Sequence, residues 1–143
     1  MNSNQNDLES RRMEHEGRTL SVNKVNLSRD VVDELFPHSV PEFQTHFQAR
    51  IDGKLVCWLA IDMVPLQPQA LLHVYILDHK RTRQNIEDLQ VAFKKLMVPL
   101  LYDMGRRSIV VVTDGGEKVN ALARSFGFDP QPCWISEMRI EKE

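Results

Sequence analysis

The stretch that most constrains this chain is residues 42–64, EFQTHFQARIDGKLVCWLAIDMV. Phe43, Thr45, Phe47, Ala49 and Ile51 alternate with polar residues, the period of a strand with one face in the core. Asp52-Gly53 then supplies the residue pair that tight hairpin turns favour, and Leu55 to Ile61 returns. A β-hairpin in mid-chain needs further strands or a helix to cover its apolar face.

The rest of the chain supplies them. TLSVNKVNL (19–27) reads as a first strand. Ser28 is a helix cap, Val31, Val32, Leu35 and Phe36 form one face of a short helix, and Pro37 stops it. After a loop at 65–69, Leu71 to Leu77 is a further strand. Leu89, Phe93, Leu96, Met97, Leu100, Leu101 and Met104 then recur at helical spacing, interrupted at Pro99 and closed by Gly105. Residues 106–114 carry an apolar run expected to be covered on both faces. Gly115-Gly116 marks a turn, 117–126 a short helix ending at Gly127, and 130–140 a last strand. This order predicts an α/β (α+β) domain with a mixed central sheet flanked by helices. Expected core residues are Phe93, Leu96, Met97, Leu100, Val110, Val112, Trp58 and Leu59 or Ile61.

The 143 residues suit one domain, read as 19–143, behind a polar N-terminal arm, 1–18, too poor in apolar residues to offset its ordering entropy alone. A net charge of −2 argues against a chain whose main task is coating nucleic acid. Cys57 and Cys133 sit in apolar runs and read as buried thiols, not as a disulfide framework. No apolar segment approaches the length of a membrane span or a secretory leader, so the expected setting is cytoplasmic or otherwise intracellular, not secreted.

The hairpin, the strand–helix unit 71–104, the strand at 107–113 and the ending KVNALARSFGFDPQPCWISEMRI resemble the GNAT acetyltransferase superfamily over about residues 19 to 140. Phe126-Gly127-Phe128 matches the family's Gly-Phe after its last helix. The resemblance implies an acetyl-CoA site where the long helix starts, with backbone N–H groups on the pyrophosphate. The family pattern there is Gln or Arg, two residues, Gly, one residue, then Gly or Ala. In this chain the stretch is Arg81-Thr82-Arg83-Gln84-Asn85-Ile86, so Arg81 matches but Gln84 and Ile86 replace the small residues. The tyrosine that often serves as general acid has Ala123 in its place, and the asparagine that often precedes it falls at Gly116. The resemblance therefore implies a degenerate acetyl-CoA site in a binding or structural protein, similar to small phage and virion proteins of this fold, with no cofactor and a protein partner. The alternative is an active acetyl-CoA-dependent N-acyltransferase.

Candidate site residues follow. Arg81, Arg83, Gln84 and Asn85 are cofactor-binding candidates, and His46, on the polar side of its strand, is the candidate general base. Lys80, Arg81, Arg83, Arg106 and Arg107 are candidates for a partner surface, including a nucleic-acid or regulatory adaptor using the 80–83 junction. No aromatics interleave with these cations, so stacking on bases lacks support. Equally, the junction reads as a solvated loop balanced by Asp78, Glu87 and Asp88. The five histidines form no ligand spacing with one another or with cysteine, so no metal is expected.

Overall fold

A computed structural model describes residues 10–36, 44–63, 68–111 and 117–128. The chain falls into two compact units, Met1–Val110 and Val111–Glu143. The first unit is built on a sheet of six described strands in sequence order: β1 (Ser10–His15), β2 (Arg18–Val25), β3 (Gln44–Ile51), β4 (Lys54–Asp62), β5 (Gln69–Ile76) and β6 (Ser108–Val111). Neighbours from β1 to β5 pair antiparallel. At β6, Arg107 N–H donates to Pro68 O at 2.8 Å, so β5 and β6 start side by side and run parallel. The last expected strand, 130–140, and Val112 lie outside the described residues.

The hairpin forms as its sequence predicts. Asp52 and Gly53 take φ of 51° and 78°, both positive as a type I′ turn demands. A register shift at Ala49/Arg50 marks a bulge, where Val56 is the extra residue. A second such turn, Glu16-Gly17 with φ of 49° and 82°, was not anticipated. It folds Ser10–His15 back onto β2, which corrects the expected polar arm over those residues. Their alternation of Arg11, Met13 and His15 with Arg12 and Glu14 is short and mostly charged, so it carries little apolar signal.

The sheet has two unlike faces. Leu20 and Val22 on β2, Phe47, Ala49 and Ile51 on β3, Cys57, Leu59 and Ile61 on β4, and Leu72 and Ile76 on β5 share the first, and all are buried. A long helix covers it, made of α2 (Arg83–Ala92), a π turn (Phe93–Met97) and α3 (Val98–Asp103). Pro99 has no N–H and its ring crowds the carbonyl one turn back, so the helix widens there and Val98 N–H reaches Phe93 O instead. Beyond Asp103 the helix closes on Gly105, φ 89°, with Arg106 N–H on Leu101 O at 3.0 Å and Gly105 N–H on Tyr102 O at 3.0 Å, a Schellman ending. The buried faces of the helix are Leu89, Ala92, Leu96, Met97, Leu100 and Leu101. No described helix is long and apolar enough to cross a membrane.

The expected core is corrected in one place. Val110 is 44% exposed, because β6 stands last in the described strand order and a run of β-branched residues does not by itself require cover on both faces. Trp58 and Phe93 are half-buried. The second face of the sheet carries α1 (Arg29–Leu35), capped by Ser28 Oγ on Val31 N–H and seated by Val32 and Phe36. In the second unit, α4 (Glu117–Ser125) ends at Gly127, φ 99°, with Phe128 N–H on Ala123 O at 3.1 Å.

Leu100 is fully buried at the helix–sheet contact, so Leu100→Ala should cost about 2–5 kcal/mol in urea denaturation. Val110→Ala, at an exposed position, should fall within about 0.5 kcal/mol of the native protein in the same experiment.

Candidate functional site

Two places in the first unit carry chemistry. One is the junction between β5 and α2. A 3-10 turn, Asp78–Lys80, leads from the strand, and Thr82 then caps the helix by accepting Asn85 N–H on Oγ1 at 3.1 Å. The Asn85 amide turns back and donates to Lys80 O at 2.9 Å. Arg81 donates through Nε to Ile76 O at 3.2 Å and lies 3.7 Å from Asp78. The four cofactor-binding candidates thus meet at one place, yet Asn85 and Arg81 are engaged by the chain's own carbonyls.

The acids expected to balance this junction do so only in part. Asp78 reaches Arg81, but Asp88 does not belong to the junction's charge balance. It is fully buried and takes both ends of the Arg18 guanidinium, Oδ2 at 2.7 Å from Nε and Oδ1 at 2.9 Å from Nη2, and Oδ1 also accepts from Gln84 Nε2 at 3.1 Å. This is a correction with a clear cause. Asp88 lies on the inward side of the helix, where a carboxylate requires a paired cation. The first turn itself holds no acidic residue. Among the described residues no ion pair reaches Lys80, Arg83 or Glu87.

The basic candidates do not form one strip. Lys80, Arg81 and Arg83 sit at the C-terminal end of β5, whereas Arg106 and Arg107 precede β6 beside its N-terminal end. About 23 Å of strand separates the two groups. Arg107 is used locally: Nη1 donates to Tyr102 O and Arg106 O, and its guanidinium lies 3.9 Å from the Tyr102 ring centroid.

The second place lies on the α1 face of the sheet. Register puts His46 opposite Ala60 and Ala60 opposite His73, so both imidazoles point to one side across a small residue. Asp62, next but one to Ala60, shares that side. His73 Nε2 lies 2.9 Å from Asp62 Oδ2, and His46 Nε2 lies 2.8 Å from Gln44 Oε1. The Phe36 ring stacks on His46 at 6.4 Å and tilts against His73 at 6.2 Å. Asp62 is only 8% exposed, and its Oδ1 and Gln44 Nε2 are buried without hydrogen-bond partners among the described residues. Burial lowers the His46 pKa below its ordinary 6.5, and the Asp62 charge offsets only part of that. An imidazole held by a buried carboxylate has the arrangement of a positioned proton acceptor. Burial pushes the Cys57 thiol up to about 12, which leaves it inert. Among the described residues, no three His, Cys, Asp or Glu side chains come together as metal ligands.

The sequence singles out His46 from this group and misses Asp62, His73, Gln44 and Phe36. The Asp52-Gly53 turn alone does not bring Gln44 and His46 beside Asp62, because the bulge at Val56 shifts the β3–β4 register by one residue. The partnership with His73 depends on the loop before β5, and no pattern in the sequence sets that register.

Among solved structures, the GNAT domain of S. lividans PAT superposes with a TM-score of 0.61 at 12% identity, over 87% of this chain and 90% of that one. The chain has the GNAT fold. The ribosomal-protein-S18-alanine N-acetyltransferase from Escherichia coli matches with a TM-score of 0.55 at 17% identity, covering 79% of each chain. The aminoglycoside acetyltransferase AAC(6')-Iy, solved with a CoA bisubstrate analogue, matches with a TM-score of 0.52 at 15% identity, over 79% of this chain and 92% of that one. No protein-family model and no curated protein matches the sequence. At the β5–α2 junction the Asn85 N–H donates to Thr82 Oγ1, and Gln84 and Ile86 carry side chains at the positions where the family pattern has small residues.

The lowered His46 pKa gives a pH test. The unfolded chain takes up the His46 proton more readily than the folded one, so stability is lost as pH falls from 6.5 through the folded value and is unaffected above it. Relative to His46→Asn, the wild-type denaturation midpoint should therefore be flat above pH 6.5 and decline below it.

Proposed function

We propose that this chain is a GNAT-fold domain with a degenerate acetyl-CoA site that acts as a binding or structural protein, with a protein partner, in a cytoplasmic or virion-associated setting. The observation that carries this reading is the closure of the β5–α2 junction on itself, with Thr82 Oγ1 on Asn85 N–H and the Asn85 amide on Lys80 O. A helix N-terminus recruits an anion when its N–H groups are orphaned and reachable. Here a side-chain cap already serves one of them, and bulky neighbours flank the rest. The replacement of the usual general-acid tyrosine by Ala123 points the same way.

A second reading is an active N-acyltransferase, and one observation favours it. The Asp62–His73 pair supplies a proton acceptor for an amine, held by a buried carboxylate, on the strand that leads into the junction. The reading as a nucleic-acid adaptor draws no support from the separation of the two basic groups along β5.

Calorimetric titration with acetyl-CoA decides between the first two. The binding-protein reading expects no heat of binding. Saturable binding at about micromolar dissociation constant, lost in Arg81→Ala, overturns it, and loss of acetyl transfer in His73→Ala with binding retained establishes the second.

A further inference from the structure

Among the described residues, the two sides of the first unit carry opposite charge that no ion pair engages. On the outer side of the long helix, Lys94, Lys95, Val98 and Tyr102 are all exposed. The π turn widens the helix at 93–97, and Lys94, Val98 and Tyr102 follow one another at intervals of four on the outward side. Val98 is 38% and Tyr102 59% exposed, and the Arg107 guanidinium lies on the Tyr102 ring. The surface is therefore apolar at its centre and cationic at both ends. Asp103, its neighbouring acid, is already engaged by Arg11 at 2.6 Å.

The other side presents α1. Asp30, Asp33 and Glu34 are exposed there at helical spacing, while Val32 and Phe36 face the sheet. Arg29 is the one cation on this helix. That α1 lies across the sheet from the long helix follows from the strands. Arg11 and Arg18 reach the long helix from the first face, whereas Phe36 touches His46 and His73 on the second. Among the described residues, no ion pair engages Lys94, Lys95, Asp30, Asp33 or Glu34.

We propose that the chain associates with a second copy of itself, head to tail, with the Asp30/Asp33/Glu34 side of α1 in one copy docking on the Lys94/Val98/Tyr102 side of the long helix in the next. Charge complementarity selects this occupant: the two surfaces have opposite sign, and neither is ion-paired among the described residues. Their lengths also match, about 10 Å for the seven residues of α1 against about 12 Å from Lys94 to Tyr102. Tyr102, with the Arg107 guanidinium on its ring, combines the two side-chain types that anchor small interfaces. Because the two surfaces differ and lie on opposite sides, the contact is heterologous, and it propagates to further copies instead of closing as a twofold pair. The proposal names a partner for the binding-protein reading and does not depend on the acetyl-CoA result.

Sedimentation velocity over a concentration series, at low and high salt, tests it with the full chain. The wild type should associate reversibly, with species beyond the dimer, and high salt should weaken association. Lys94→Glu/Lys95→Glu and Asp30→Lys/Asp33→Lys should each remain folded by circular dichroism and raise the apparent dissociation constant at least about tenfold. Mixed together, the two variants should associate again, because each then offers the surface that the other needs. A wild type that stays monomeric at every concentration in low salt overturns the proposal. So does association that the charge reversals leave unchanged, or a mixture that stays monomeric.

Discussion

The Asp88 carboxylate fixes the relation between the long helix and the sheet. It is fully buried, and a bare carboxylate at that depth is too costly to keep. Arg18 on β2 answers it with a two-pronged hydrogen bond, and Gln84 adds a third donor from one helical turn before. One acid thereby ties the start of α2 to the second strand of the sheet. The helix is held again near its far end, where Arg11 on β1 meets Asp103. Between these two charged fastenings lies the apolar seam of Leu89, Ala92, Leu96, Met97, Leu100 and Leu101. The direction of the helix, and hence the position of the β5–α2 junction, depends on where Arg18 stands in the sheet.

That dependence explains what the sequence reveals and what it hides. Features set by local chemistry are legible: the Asp52-Gly53 hairpin, the Ser28 cap, the spacing of leucines along the long helix and the break at Pro99 all occur where the pattern predicts. Features set by tertiary pairing are not. Asp88 reads in sequence as an acid that neutralises neighbouring arginines, because nothing local shows that a residue 70 positions earlier claims it. The strand at Ser10–His15 is hidden for a similar reason. Its residues are mostly polar, and what recruits them is the Glu16-Gly17 turn and the open edge of β2. Val110 errs in the other direction, since an apolar run signals strand but not how many of its faces are covered.

The two chemical centres differ in the same way. The junction at 78–88 is visible as a motif position, and its departures from the small-residue pattern read directly from Gln84 and Ile86. The Phe36, His46, Asp62 and His73 group is assembled by three strands and a helix end. It leaves a buried carboxylate oxygen and a buried amide nitrogen without partners among the described residues, an expense that an ordinary packing cluster avoids. One face of the sheet thus serves cohesion, and the other retains polar groups that cohesion alone does not call for.

The π turn at Phe93–Met97 has a consequence for how the long helix moves. Pro99 removes one amide from the ladder, and the wide turn replaces the usual bonding of its neighbours. An uninterrupted helix opens as one cooperative block, whereas this one has a seam inside it. The segments 83–92, anchored through Asp88, and 98–103, anchored through Asp103 and the glycine ending, are therefore expected to open separately, as amide hydrogen exchange would read. The lysines at 94 and 95 sit at the seam between them, so exposed positive charge lies where the helical ladder is interrupted.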